Sequence, residues 1–151
     1  MSYPLGPFEL LEPAGYGAMA EVWKAKHRDL GVPVAVKVVT SETALTRRFR
    51  TRFAYEVRAA SQLNHPGVIK IYDHGEIPEE VARATENVLQ ATAPYLVMEW
   101  VEGGTLGQQL GRLRWGQVRA LLLGLLDALS ASHAQDIIHR DLKPDNVLMS
   151  A

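Results

Sequence analysis

The most informative run of residues in this chain is His139-Arg140-Asp141-Leu142-Lys143-Pro144-Asp145-Asn146. A His-x-Asp triplet alone would carry little information. Here a Lys follows the Asp by two positions and an Asn follows it by five, so three polar groups of different chemistry stand at fixed intervals in one short segment. The significance of this order depends on the residues that precede it.

The composition is that of a globular protein without bulk affinity for polyanions. Of the 151 residues, 47% are hydrophobic and the net charge is −1, which allows a packed core and gives no reason to expect nucleic acid as a partner. Cysteine is absent, which excludes disulfides and cysteine-ligated metals. The most apolar stretch, 118–134, contains Arg119 and Asp127, and residues 1–5 lack a secretory signal pattern. We therefore expect a soluble, cytoplasmic protein with no membrane segment.

The spacing of apolar residues predicts a sheet with one helix, followed by further helices. Strands are predicted at 8–14, 20–27, 32–39, 68–72 and 95–100, and a helix at 43–63. A short helix is predicted at 106–113. A longer one runs to about Gln135, with an apolar stripe formed by Val118, Leu121, Leu122, Leu125 and Leu129. This order indicates an α+β fold in which a sheet layer precedes a helical layer.

Two segments have no obvious chemical role. Residues 77–94 form a longer connection than a hairpin needs, and Val81, Thr85, Val88 and Leu89 permit one weak helix there. A surface elaboration and a partner-binding element are both compatible with it, and the first is the simpler interpretation. Arg47, Arg48, Arg50 and Arg52 cluster near the start of the predicted helix, where the simplest interpretation is a solvated polar face.

A glycine-containing turn joins the first two predicted strands. Gly15 and Gly17 are small enough to let backbone amides approach phosphate oxygens, but they equally suit a tight hairpin. A dinucleotide-binding turn is excluded because it would lead into a helix, and here a strand follows.

Lys37 lies in an apolar strand, on the same face as Ala35. A lysine in such a place is usually an edge residue whose amine reaches water. If it is buried, it needs a counter-charge, since an unpaired buried amine costs several kcal/mol. Glu56, between the apolar Phe53 and Val57 on the following helix, is the preferred partner, and Glu42 is the alternative.

Together these segments resemble the bacterial branch of the serine/threonine protein kinases. The resemblance rests on five segments in order, at 15–22, 34–37, 52–66, 95–106 and 139–146, and covers nearly the whole chain. It implies a protein-kinase-like α+β fold, with a five-stranded antiparallel sheet and helix C in a small lobe. That lobe with its hinge would occupy 8–101, and the start of the large lobe 102–151. Lys143 followed by Pro144 fits the serine/threonine type rather than the tyrosine type.

The resemblance also implies roles in phosphoryl transfer from ATP. Asp141 would accept the proton of a substrate Ser or Thr hydroxyl, Lys143 would stand beside the transferring phosphoryl, and Asn146 would ligate Mg²⁺. Lys37 would pair with the nucleotide phosphates and with Glu56. The other implied nucleotide contacts are Gly15, Gly17 and Ala20 at the phosphates, Val22 and Ala35 above the adenine, Leu148 beneath it, Met98 as gatekeeper, and Glu99 and Val101 as the backbone hydrogen-bonding pair.

The sequence contains no Asp-Phe-Gly triplet, which kinases of this family use for their second metal ligand. We therefore expect that the 151 residues alone transfer no phosphoryl group. Three interpretations stay open: an enzyme completed by a large-lobe polypeptide, a nucleotide- or partner-binding module without turnover, and the product of a split or truncated gene.

Overall fold

The computed structural model describes residues 2–150 and divides them into two compact units. The first consists of the chain through Ser61 together with Lys70–Trp100, and the second consists of Gln62–Ile69 and the chain from Val101 onward. The polypeptide therefore leaves the first unit after helix α1 and returns to it for two further strands.

The first unit is built on a six-stranded antiparallel sheet. Its strands lie in the order β1-β2-β3-β4-β6-β5. They are β1 (Tyr3–Leu5), β2 (Phe8–Tyr16), β3 (Ala20–His27), β4 (Pro33–Val39), β5 (Ile71–Glu76) and β6 (Pro94–Glu99). The α+β class is confirmed, but the expected number of five strands is wrong by one.

The additional strand is β1, which the sequence pattern did not reveal because three residues are too few to show alternation. Gly6 has a φ of +55°, a conformation that favours glycine, and lets the chain reverse between Leu5 and Phe8. Both of these side chains are buried, so the hairpin is fixed by apolar burial.

Strand β5 begins three residues later than predicted and includes polar residues. Asp73 and His74 pair through their backbone with β6, and such pairing leaves no apolar alternation in the sequence. Gly75 lies opposite Tyr95, and the Tyr95 ring is so close that a Cβ on Gly75 would meet its hydroxyl at 2.9 Å. The aromatic ring thus covers the place where a side chain is missing.

Helix α1 (Arg47–Ser61) follows a 3₁₀ turn at Glu42–Leu45 and is shorter than the predicted 43–63. Its apolar side consists of the stacked rings of Phe49 and Phe53, with centroids 6.2 Å apart, and the buried Val57. Arg50 ties the helix to β5 through an ion pair with Glu76 at 2.8 Å.

The connection 77–94 is part of the core, so its interpretation as a surface elaboration is wrong. Helix α2 (Glu79–Ala84) buries Val81, and Leu89 beyond it is fully buried. The Thr85 hydroxyl donates to the Val81 carbonyl and accepts from the Leu89 amide, which closes the segment on itself. The cluster that it joins is formed by Leu5, Phe8, Leu10, Trp23, Ala25, Val34, Val36, Val38, Ile77, Val81, Ala82, Leu89, Ala93 and Val97.

The second unit contains helix α3 (Leu106–Gln109), helix α4 (Trp115–His133) and a 3₁₀ turn at Pro144–Asn146. Helix α3 is shorter than the predicted 106–113 because Leu110 leaves the helical conformation and Gly111 has a φ of +79°. Its start is fixed by a capping box, in which the Thr105 amide donates to Gln108 Oε1 at 3.0 Å.

Residues 62–69 are held to α4 by a histidine. The Nδ1 atom of His65 accepts the Gly67 amide at 2.9 Å, so the ring donates from Nε2 to Asp127 Oδ2, also at 2.9 Å. Few apolar side chains are buried in this unit, since Leu63 and Ala128 are buried whereas Leu122, Leu123 and Leu126 on α4 are about half exposed or more. Within residues 2–150, no helix is both long and apolar enough to cross a membrane.

Candidate functional site

The loop at 139–146 brings together the three polar residues that the sequence singled out. The Lys143 amine lies 3.3 Å from Asp141 Oδ2, and Asn146 Nδ2 donates to the same oxygen at 3.2 Å and to the Asp141 carbonyl at 2.8 Å. The Asp141 amide donates to His139 Nδ1 at 3.2 Å, which orders the first turn of the loop. Both side chains of the ion pair are more than half exposed, so the loop presents a carboxylate and an amine to solvent.

The electrostatics of the loop favour an ionised Asp141. The hydrogen bond and charge of Lys143 hold the pKa of this carboxyl below its usual range, and Asn146 adds to the effect. A carboxylate that stays ionised can accept a proton, and a neighbouring amine can neutralise charge on an anion that approaches it.

The backbone of the loop is strained at Arg140. This residue has a φ of +63°, which is uncommon for a residue with a Cβ and typically costs about 1–3 kcal/mol. The 3₁₀ turn that begins at Pro144 closes the loop, since the Asn146 amide donates to the Lys143 carbonyl at 2.9 Å. The strained residue thus lies directly beside Asp141, held by bonds on both sides.

Three glycines that sequence reasoning did not single out hold this loop in place. A Cβ on Gly103 would collide with the Met149 carbonyl oxygen, and one on Gly107 would collide with the Asp145 carboxylate. Gly104 has a φ of +72°. Paired backbone bonds accompany these close approaches, from the Leu106 amide to the Val147 carbonyl and from the Met149 amide to the Gly104 carbonyl. Their signal was the density of glycine in residues 103–107.

In the first unit, the predicted nucleotide-contacting residues share one face of the sheet. Lys37 is paired in register with Val22 on β3 and with Leu96 on β6. Two residue pairs along, Ala35 lies opposite Met98. Because alternate residues of a strand point to the same face, these side chains stand together on the face opposite the buried Val36 and Val38.

The turn between β2 and β3 does not need its glycines. The Gly17 amide donates to the Ala20 carbonyl at 2.8 Å, and neither Gly15 nor Gly17 has a positive φ. A Cβ on Gly15 would meet nothing within 4 Å, and one on Gly17 would make an ordinary contact with Ala20 at 3.4 Å. The hairpin interpretation therefore leaves the glycines unexplained, since a larger residue would fit the fold.

Lys37 is half-buried, and Glu56 is exposed. The structure pairs Glu56 with Arg52 one turn earlier on α1, at 2.9 Å, and over residues 2–150 it records no ion pair between Lys37 and Glu56. The pairing expected from the sequence therefore stays a prediction. Glu42, the alternative partner, lies in the 3₁₀ turn before α1.

Residues around the end of β6 provide the remaining predicted contacts. The Glu99 amide donates to the Lys70 carbonyl at 2.9 Å, and the Glu99 side chain accepts from the Lys70 amide at 3.3 Å, so Glu99 is fixed to the residue before β5. The Lys24 amine lies 5.2 Å from the centroid of the Trp100 ring, a cation–π contact. In the second unit, Leu148 forms an isolated bridge with Thr105.

One acidic residue is buried on the core face of the sheet. Glu21 Oε1 and the Trp23 indole nitrogen have no hydrogen-bonding partner among the described residues. Burial raises the pKa of the Glu21 carboxyl, and the neighbouring indole offsets this only in part.

The described part of the chain contains no cluster of three or more His, Cys, Asp or Glu suited to a metal ion. Asn146 nevertheless fits a magnesium ligand, because both of its recorded hydrogen bonds use the amide nitrogen and leave the amide oxygen to coordinate. Mg²⁺ is commonly held by few protein oxygens together with phosphate oxygens and water.

Comparisons with known proteins agree with the geometry. The family described as "Protein kinase domain" matches residues 8–151. A probable serine/threonine-protein kinase of Streptomyces coelicolor is 38% identical over 148 residues, and the probable serine/threonine-protein kinase PknB of Bifidobacterium longum is 40% identical over 148 residues. Each alignment covers 96% of this chain and 21% of the relative.

A crystal structure of the PknI kinase domain of M. tuberculosis has the same fold, with a TM-score of 0.78 and 26% sequence identity. That match covers 96% of this chain and 55% of the solved chain. The chain thus spans about a fifth of the curated relatives and just over half of a solved kinase domain. The assignment made from the order of the motifs is confirmed: this chain belongs to the protein kinase domain family.

Proposed function

We propose that this chain carries the proton-accepting and nucleotide-binding residues of a protein serine/threonine kinase, which transfers the γ-phosphoryl group of ATP to a protein hydroxyl. The observation that carries the proposal is the loop in which Asp141, Lys143 and Asn146 contact one another. A transfer of this kind depends mainly on positioning and charge neutralisation, which are the two properties this loop supplies.

Each loop residue has a distinct part in the proposed reaction. Asp141 accepts the proton of the Ser or Thr hydroxyl, and the lowered pKa of its carboxyl keeps it ionised for that purpose. Lys143 neutralises charge on the phosphoryl oxygens. Asn146 fixes the Asp141 carboxylate through its amide nitrogen and ligates Mg²⁺ through its oxygen. The ion, when bound, neutralises phosphate charge.

The sheet face of the first unit supports a nucleotide as the donor. Gly15 and Gly17 are small without any need in the fold, and small residues let phosphate oxygens reach backbone amides. Lys37, in register with Val22, stands on that face as the cation for the phosphates, and Glu56 is its proposed partner. The adenine would contact Val22, Ala35, Met98 and Leu148, with the Glu99 carbonyl and the Val101 backbone as its hydrogen-bonding pair.

A binding module without turnover is the second candidate. The Arg52–Glu56 ion pair favours it, because that pair engages the carboxylate proposed for Lys37. In the kinase interpretation, this pair breaks when nucleotide binds. Because ATP is a cytoplasmic donor, the proposed activity places these residues in the cytoplasm, in signalling through protein phosphorylation.

Radiolabelled ATP, Mg²⁺ and a generic basic protein test the proposal. We expect no transfer by the 151 residues alone, and transfer to Ser or Thr once a polypeptide beginning at the Asp-Phe-Gly of a close relative is added. That polypeptide would cover Leu122 and Leu126, so its association is driven by apolar burial.

Asp141→Asn should abolish the transfer, whereas the matched control Asp136→Asn should retain it. Asp136 is exposed with a φ of +59°, a conformation that Asn also tolerates. A complex that binds Mg²⁺-ATP and transfers nothing would contradict the enzyme and support the binding module.

A further inference from the structure

One face of helix α1 is strongly basic. The helix carries five arginines and one glutamate in fifteen residues. Arg47, Thr51, Tyr55 and Arg58 follow one another at spacings of three or four, so they form a continuous stripe along the helix. Tyr55 is 76% exposed and is the one large apolar side chain of α1 that faces solvent.

This stripe lines a groove that lies wholly within the first unit. A cavity of about 570 Å³ is bounded by Arg47, Arg50, Thr51, Tyr55, Arg58 and Glu76. A second cavity of about 600 Å³ shares Arg47, Thr51 and Tyr55 with the first, and Arg48 and Arg52 border it. We call the first cavity the α1 groove.

The charges of the α1 groove do not cancel. Three arginines face one glutamate, which leaves a net charge of +2. Arg50 is already paired with Glu76 at 2.8 Å, and its Nε is buried without a hydrogen-bonding partner among the described residues. Arg47 and Arg58 are exposed at the two ends.

We propose that the α1 groove binds a phosphorylated side chain in a short peptide segment of a partner protein. A phosphomonoester carries a charge of about −1.5 to −2 near neutral pH and three acceptor oxygens, which matches the uncompensated charge of the groove. Guanidinium groups bind such oxygens in pairs, with a geometry that an amine lacks. The exposed ring of Tyr55 offers an apolar contact for the neighbouring residue of the peptide.

Other polyanions fit the groove less well. A membrane-binding helix presents several large apolar side chains to the bilayer, and α1 exposes only Tyr55. The stripe from Arg47 to Arg58 is roughly 16 Å long, at 1.5 Å per residue. The groove along it carries three arginines, one of them paired with Glu76, which is fewer cations than the roughly six to ten phosphate contacts that a protein bound mainly to the nucleic-acid backbone makes.

NMR titration of the isotopically labelled full chain tests this proposal without ATP. The probe is acetyl-Ala-Leu-phosphoserine-Gly-Ala-amide, with the unphosphorylated peptide and the same peptide carrying Glu in place of phosphoserine as comparisons. We expect the phosphopeptide to bind at least about tenfold tighter than either, because each charge-assisted hydrogen bond contributes the equivalent of roughly that factor. The shifts should be confined to α1 and the end of β5.

Arg47→Gln and Arg58→Gln should each weaken binding about tenfold. Arg47→Lys and Arg58→Lys should weaken it less, since they keep the positive charge. They should still weaken it, because an amine lacks the paired N–H donors of a guanidinium group. Arg119→Gln on α4 is the matched control and should leave binding unchanged. Because Arg47 and Arg58 are exposed, these variants should fold normally, which the spectra themselves verify.

Several outcomes would overturn the proposal. They are equal binding of the unphosphorylated or the Glu peptide, shifts outside the groove, and inorganic phosphate that binds as tightly as the peptide. Arginine-dependent binding to phosphatidylserine vesicles without binding of the phosphopeptide would assign the groove to membranes instead. The result does not depend on phosphoryl transfer, so it stands or falls separately from the proposed kinase activity.

Discussion

The two units hold their candidate site residues by different means. In the first unit, a continuous apolar core fixes β3, β4 and β6, and the register between these strands places Lys37 beside Val22. In the second unit, few apolar side chains are buried, and the loop that carries Asp141 is held by hydrogen bonds and by glycines in close contact with backbone. The first site thus depends on packing and the second on polar geometry.

The largest expected effect comes from the difference in side-chain packing between the two units. Leu10→Ala should lower the free energy of unfolding of the first unit by about 2–5 kcal/mol, because Leu10 is fully buried in its core. Leu122→Ala on α4 is the matched substitution and should cost less than about 1 kcal/mol, since Leu122 is 48% exposed. Amide hydrogen exchange of β3 and of α4 measures both. Equal losses would show that the second unit is packed as tightly as the first.

The next effect concerns the glycines of the second unit. Gly103→Ala should destabilise the loop by about 1–3 kcal/mol, because the new methyl group would meet the Met149 carbonyl, a backbone group that cannot rotate away. Gly124→Ala, in open space on α4, should instead stabilise that helix by about 0.5–1 kcal/mol. Denaturant unfolding shows whether the free energy of unfolding falls in Gly103→Ala and rises in Gly124→Ala. A neutral Gly103→Ala would mean that the loop is not held by this contact.

A smaller effect is expected at Glu21 in the first unit. The raised pKa of its carboxyl means that the folded state favours the protonated form. The contribution of Glu21 to stability is therefore fully present below the pKa that this carboxyl has in the unfolded chain. It is lost as the pH rises through the higher pKa that the carboxyl has in the folded chain. Glu21→Gln should raise the melting temperature at pH 7 by about 2–4 °C and weaken this pH dependence. Glu12→Gln on the exposed part of β2 should leave the melting temperature at pH 7 unchanged. If Glu21→Gln lowers the melting temperature, the buried carboxylate is stabilised by a partner in the folded protein.

The smallest effect is local to the loop at 139–146. Lys143→Met should raise the pKa of Asp141 towards its ordinary value, because the principal cause of its depression is lost. Lys143→Arg should keep the pKa low, since it keeps the charge. Carboxyl ¹³C NMR follows the titration directly. In the proposed enzyme, the acidic limb of the activity profile should move to higher pH in Lys143→Met, because Asp141 must be ionised to accept a proton. An unchanged pKa would indicate that Asn146 and the backbone set it instead.

Local periodicity was enough to predict much of the first unit. Alternation in β4 predicted that Lys37 and Ala35 share a face, and helical spacing predicted that Phe49, Phe53 and Val57 line one side of α1. The contacts that sequence reasoning missed join residues far apart in the chain. The bond from His65 to Asp127 and the collision that a Cβ on Gly103 would make with Met149 have no local pattern. The predicted start of β5 was three residues too early because its polar residues pair through the backbone alone.

The family assignment came from the order of several motifs, each of them weak alone. The order of motifs could not predict whether Lys37 pairs with Glu56, because a side chain with several rotatable bonds can pair with any of several neighbouring groups. In this conformation, Arg52 lies one helical turn from Glu56 and holds it.

The position of β6 in the sheet constrains how the first unit forms during synthesis. Because β6 pairs with both β4 and β5, the edge of β4 stays open until residue 99 has left the ribosome. Leu5 and Phe8 meanwhile stay partly uncovered until Val81 and Leu89, far along the chain, are synthesised and complete their cluster. Such distant contacts form slowly, and an open strand edge beside uncovered apolar residues is prone to aggregate. A nascent chain paused between β4 and β6 is therefore the form most in need of a chaperone.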